Sequence, residues 1–142
     1  QRVVAVDCAY HFSTRRSFLR SAATTLEAGG GLALADVVVT DGDSIRGALL
    51  PLVARVFGIP SENLVSASGL EEDLAAAGFS EIRIVDITGQ VFIGFAAHMQ
   101  ERARSLGFSQ RLAALLLSIV MTLLAKSGLF RYVVARATRE RI

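Results

Sequence analysis

The sequence holds one cysteine, two prolines and no tryptophan in 142 residues. Cys8 alone cannot close an internal disulfide or build a cysteine-rich zinc site, so nothing indicates an oxidising compartment and a cytoplasmic protein is expected. Two prolines beside 52% hydrophobic residues exclude proline-rich and disordered classes. No apolar run reaches the ~18 uninterrupted residues of a spanning helix, and the N-terminus lacks the basic-then-apolar order of a secretory signal. Charge of one sign is also scarce: 15 basic residues against 13 acidic leave a formal net charge of +2. The cations, nearly all Arg, are scattered, so a pI of 9.2 overstates the polarity. Arg131, Arg136, Arg139 and Arg141 gather near the C-terminus, where they read as a solvated tail in preference to a contact for phosphate or an anionic membrane face. Without a basic stripe or interleaved aromatics, nucleic-acid binding is not expected. What is present is enough apolar material for one domain, 1–142.

That material alternates between strand and helix patterns. The apolar run 3–6 and the run 32–39, broken only by Asp36, suit strands buried on both faces of a parallel sheet. Between them Ser13-Thr14 offers a helix cap. Phe18, Leu19, Ala22, Ala23 and Leu26 then mark a buried face, with Arg15, Arg16, Arg20 and Glu27 on the other. Ile45, Ala48, Leu49, Leu52, Val53 and Val56 predict a helix that Pro51 should kink or divide. Ser68-Gly69-Leu70-Glu71 matches a capping box for a helix over 69–77, and 81–87 is a third strand. Thr88-Gly89-Gln90 then reads as a loop, and Phe92, Phe95, Ala96, Met99 and Ala103 as an amphipathic helix. The stretch 112–125 is polar only at Ser118 and Thr122, and 131–137 closes as a strand. The order indicates an α/β layer fold with helical insertions at 44–60 and 90–128. The chain opens inside a strand pattern without an initiating Met, which we read as an N-terminal truncation.

Several chemistries lack their residues. There is no G-x-S-x-G elbow, phosphate loop or H-E-x-x-H motif, and His11 and His98 lack metal-ligand spacing, so no metal is expected. Asp41 and Asp43 open like a calcium loop, but Arg46 stands where that loop needs glycine; they read as turn and cap residues. His98 reads as a solvated or packed helix residue.

Three stretches carry a family resemblance: Val3-Val4-Ala5-Val6-Asp7-Cys8-Ala9-Tyr10-His11-Phe12, Leu26-Glu27-Ala28-Gly29-Gly30-Gly31-Leu32, and Ala77-Gly78-Phe79-Ser80-Glu81-Ile82. With the closing Leu129-Phe130-Arg131-Tyr132-Val133-Val134, their order resembles the C-terminal half of a class I S-adenosylmethionine-dependent methyltransferase of the small-molecule type. Ala28 replaces the proline usual before the glycines. The resemblance implies a partial Rossmann-like fold, with the last strand antiparallel, helices on both faces of a mixed sheet, and the N-terminal strands absent. The family's glycine-rich cofactor loop and the acidic residue ending its second strand are missing; Gly29-Gly30-Gly31 precedes a strand and cannot replace the loop. The fragment alone is therefore expected to bind S-adenosylmethionine weakly or not at all. It should also expose 3–6 as an unpaired edge that invites association.

The resemblance places Asp7 and Cys8 along the cofactor's methionine moiety and Phe12 near the pocket. His11 is the candidate base, because imidazole accepts protons near neutrality and open α/β sheets bind ligands at the carboxyl ends of their strands. The residues alone leave His11 equally readable as an ordinary loop histidine. Tyr10 and Gln90 are candidate substrate contacts, with polar loop filler the competing reading of Gln90. The stretch 112–125 reads either as a core helix or as a helix that walls a hydrophobic pocket or docks peripherally at a membrane. The expected activity is methyl transfer to a small, apolar acceptor such as a lipid, sterol or polyketide. The alternative is a non-catalytic remnant or a partner- or membrane-binding module. Oligomeric state, and whether oxygen, nitrogen or carbon is methylated, stay open.

Overall fold

The computed structural model describes residues 1–40 and 44–140, the side chains of 44–47 and 49 excepted. Asp41, Asp43 and Arg141, and the side chains of Ile45, Arg46 and Leu49, lie outside the described residues. Four strands, β1 (Arg2–Val6), β2 (Gly31–Val39), β3 (Phe79–Asp86) and β4 (Phe130–Arg139), form one sheet in the order β1-β2-β4-β3. β1 runs parallel to β2, whereas β4 is antiparallel to both of its neighbours. This is the expected α/β arrangement with an antiparallel closing strand.

Alternation along the strands divides the apolar residues between two layers. Ala5, Leu34 and Ala135 share one register row and point to the layer of α1 (Arg15–Thr25) and α3 (Ala67–Ala76), where Leu19, Leu70 and Leu74 are fully buried. Val37, Phe130 and Tyr132 point to the opposite layer. There they pack with residues of α2 (Ser44–Val56) and α5 (Phe108–Ser127) and with Phe92, which precedes α4 (Gly94–Ala103).

Local chemistry explains the boundaries. Thr14 caps α1 by accepting the Ser17 N–H. α3 begins earlier than the Ser68–Glu71 motif predicts, because Ser66 takes the cap role and accepts the Gly69 N–H. The polypeptide leaves α3 through Gly78, whose φ of +89° favours glycine, and leaves α5 through Gly128 at φ +65°.

Several sequence expectations are corrected. β1 is buried on one face only: Val4 and Val6 remain 66% and 62% exposed, since the described residues place no helix over them. Arg15 belongs to the buried face of α1, at 1% exposure. α2 presents Leu50, Val53 and Ala54 to the interior while Leu52 and Val56 face solvent; apolar residues surround this helix, so periodicity does not select a face. Pro51 neither divides nor ends α2, which continues through it to Val56. The loop expected at 88–90 is instead the start of a π-helical turn, Gly89–Ile93, that runs directly into α4. Finally, α5 is not a core helix: only 11% of its apolar window is buried.

Candidate functional site

β1 ends at Asp7, whose φ of +54° turns the polypeptide out of the sheet into a short 3-10 turn, Ala9–His11. Aspartate tolerates the left-handed region better than most residues, so this sharp exit needs no glycine. Two buried polar side chains then fix the turn from below. Asp36, projecting from β2, accepts the Tyr10 N–H at 3.2 Å. Asn63 donates to the carbonyls of Tyr10 (2.9 Å) and Phe12 (2.7 Å) and accepts the Arg15 N–H (2.8 Å). Asn63→Ala would leave two carbonyls and an amide without partners, each buried polar group costing about 1–3 kcal/mol. The expected readout is a lower denaturation midpoint with accelerated proteolysis in 8–14; an unchanged midpoint would show that water replaces the amide.

Above the turn lies a cavity of about 230 Å³ beside the carboxyl ends of β1 and β2. Its walls are apolar: Val37, Phe57, Ile59, Phe92, Phe95, Met121, Leu124 and Phe130 all contribute. Asp7, Tyr10 and Tyr132 supply its polar end. The Tyr10 hydroxyl donates to Asp7 Oδ1 at 3.1 Å. Burial, reinforced by Asp7, holds the Tyr10 phenol well above its ordinary range; burial followed by Asp7 and Asp36 pushes Tyr132 up to about 12. Both phenols therefore stay protonated and can donate hydrogen bonds toward Asp7 or a ligand. The volume suits a small molecule or one end of a larger apolar one.

The candidate residues divide accordingly. Asp7 and Tyr10 line the cavity. His11 is exposed beside it: its ring packs on Tyr10 at a centroid distance of 4.1 Å, and Nδ1 donates to the Gly58 carbonyl at 3.0 Å. A carbonyl can only accept, so that bond places the proton on Nδ1 in the neutral ring and leaves Nε2 as the basic nitrogen. Cys8 and Phe12 pack against the α1–α3 layer, Phe12 edge-on to Phe18. Gln90 is exposed on the π turn and is not a cavity-lining residue, and His98 is exposed on α4. Tyr132, Asp36 and Asn63 were not singled out from the sequence. A lone carboxylate within the apolar run 32–39 was the available signal for Asp36; Asn63, in a short 3-10 turn at Ser61–Asn63, gave none.

No family profile and no curated protein matches the sequence. Solved structures do match it. Haemonchus contortus phosphoethanolamine N-methyltransferase 2, solved with S-adenosyl-L-methionine, superposes with a TM-score of 0.75 and 14% identity over 99% of this chain and 33% of its own. The cyclopropane synthase MmaA2 from Mycobacterium tuberculosis gives 0.70 and 15% over 98% and 55%. The chain is a portion of the S-adenosylmethionine-dependent methyltransferase fold. It spans a third to just over half of the length of these solved chains. The [4+2]-cyclase SpnF, 22% identical with a TM-score of 0.64, also superposes, over 98% of this chain and 50% of its own. The methyltransferase fold is thus compatible with more than one chemistry, and the cavity must carry the functional argument.

Among the described residues no glycine-rich loop follows a strand to open a helix, since Gly29, Gly30 and Gly31 lead into β2.

Proposed function

We propose that this chain is the acceptor-binding portion of an enzyme that transfers a methyl group from S-adenosylmethionine to a small, largely apolar molecule. The observation that carries the reading is the apolar cavity with one polar end, placed at the strand edge where open α/β sheets bind ligands. When bound, S-adenosylmethionine supplies an electrophilic methyl group. The chain's own residues orient the nucleophile and manage its proton, and alignment alone accounts for much of the rate in such reactions. The apolar walls, Phe92, Phe95, Met121 and Leu124 among them, exclude water and hold the acceptor body. Asp7, Tyr10 and Tyr132 hydrogen-bond its polar head, and His11 Nε2 receives the proton released there. Cys8 and Phe12 support the turn from the core side. Gln90, at the exposed start of the π turn, contacts only an acceptor that extends beyond the cavity.

Calorimetric titration with S-adenosylhomocysteine tests this reading. The chain alone is expected to bind weakly or not at all, and the chain extended upstream through its reading frame to bind with a 1:1 stoichiometry. Absence of binding by both would refute the enzyme reading in favour of a non-catalytic module.

A further inference from the structure

α5 is built inside out. Its small and polar residues face the protein: Ala114 and Ser118 are buried, and Ser118 accepts a hydrogen bond from Gln100 of α4 at 2.8 Å. Of its large apolar residues only Met121 and Leu124 pack inward; the rest face outward, with Phe108 87%, Leu116 54%, Ile119 54% and Leu123 61% exposed. A soluble helix normally has the opposite arrangement. Ile93 and Phe95, at the start of α4, extend the apolar surface to the cavity wall.

The charges around this surface are of one sign. From Arg102 to Arg139 the sequence contains no acidic residue. Arg102, Arg104 and Arg111 cluster at the N-terminal end of α5 and Lys126 lies in its last turn, all exposed and, among the described residues, without a salt bridge. Apolar side chains framed by cations match the headgroup region of an anionic bilayer, where acyl chains receive the former and lipid phosphates the latter. The helix has the length and mean hydropathy (1.7) to cross a membrane. Its apolar stretch between Arg111 and Lys126 is nevertheless only fourteen residues, short of the ~20 a span needs, and Gln100 ties its middle to α4.

We infer that α5 lies in the surface of an anionic membrane, with Phe108, Leu112, Leu116, Ile119 and Leu123 inserted and the flanking cations on lipid phosphates. Because α4 and α5 also supply Phe95, Met121 and Leu124 to the cavity, this docking brings the cavity within side-chain reach of acyl chains. The docking does not depend on methyl transfer, and its test does not use it.

The test is co-flotation of the whole polypeptide that the gene encodes with vesicles of phosphatidylcholine, alone or mixed with phosphatidylglycerol. Binding is expected on the mixed vesicles, weakening with salt. The variant R102Q/R104Q/R111Q should lose on the order of 100-fold in partitioning, and L116S/I119S most of the remainder. These positions are exposed, so circular dichroism should show both variants folded. Equal binding to neutral vesicles, no binding to either, or resistance to alkaline carbonate extraction would each overturn surface docking. A change of oligomeric state in L116S/I119S, read by sedimentation, would also overturn it in favour of a second copy covering α5.

Discussion

Replacing Asp36 by alanine is expected to lower the unfolding free energy by about 3–5 kcal/mol, close to what breaking a buried ion pair costs elsewhere. Asp36 is fully buried, and its Oδ2 lies 3.0 Å from Nε of Arg15, which is equally buried. Removing the carboxylate leaves a guanidinium in the core with only the Val37 carbonyl, at 2.7 Å, as an aligned acceptor. The pair is itself imperfect: the Nε–Oδ2 contact is not aligned as a hydrogen bond, and Arg15 Nη1 has no partner. The double variant R15M/D36L is therefore expected to recover most of the loss, and urea midpoints of the three variants decide it. Failure of the double variant to recover would locate the cost in the Tyr10 N–H that Asp36 accepts.

The same pair gives the protein a pH-dependent stability. Burial pushes the Asp36 carboxyl from its ordinary 3.8 up to about 6, against the opposing pull of Arg15. Between those values the folded protein holds a proton that the unfolded chain has released. This contribution to stability is fully present below about pH 4 and lost as pH rises through about 6. Comparing the wild type with Asp36→Asn across that window isolates the effect, since the variant should lack the decline.

How much of this was legible in the sequence depended on whether one residue sufficed to define the feature. The strands, and the antiparallel course of the last, followed from apolar runs and from the segments around Asp7, Ala28 and Ala77 that resemble a known fold. The cap at Thr14 was legible for the same reason, because a cap is a local hydrogen bond. The polar supports were not. Asp36 meets Arg15 across a 21-residue separation and Asn63 reaches back to Tyr10 over 53, so neither spacing has a local signature. α5 defeated the pattern differently. Its polar stripe of Ser118 and Thr122 was visible, but periodicity gives the angle between stripes and not which one faces the protein; Gln100 settles that.

His11→Ala is expected to lower kcat by about 10²–10⁴-fold, the range general-base catalysis usually contributes, with KM little changed. The measurement is transfer of labelled methyl from S-adenosylmethionine to a panel of alkyl amines, alcohols and phenols, using the upstream-extended polypeptide. Asp7→Asn should give the contrasting result, a raised KM, because Asp7 lines the cavity, accepts from Tyr10 and, in the proposed reading, grips the acceptor head. The contrast separates the two proposed roles, since His11 lies beside the cavity and, with Nδ1 on the Gly58 carbonyl, has only Nε2 to offer an acceptor. The Gly58 hydrogen bond supplies the control. His11→Asn retains a donor toward the Gly58 carbonyl, and with it the tie between the 3-10 turn and the segment after α2, but has no basic nitrogen. Loss of turnover in both variants, with partial rescue by added imidazole, identifies proton transfer as the role. Loss in alanine alone means that His11 acts as a strut for the turn and that the acceptor releases its proton to solvent or to Asp7.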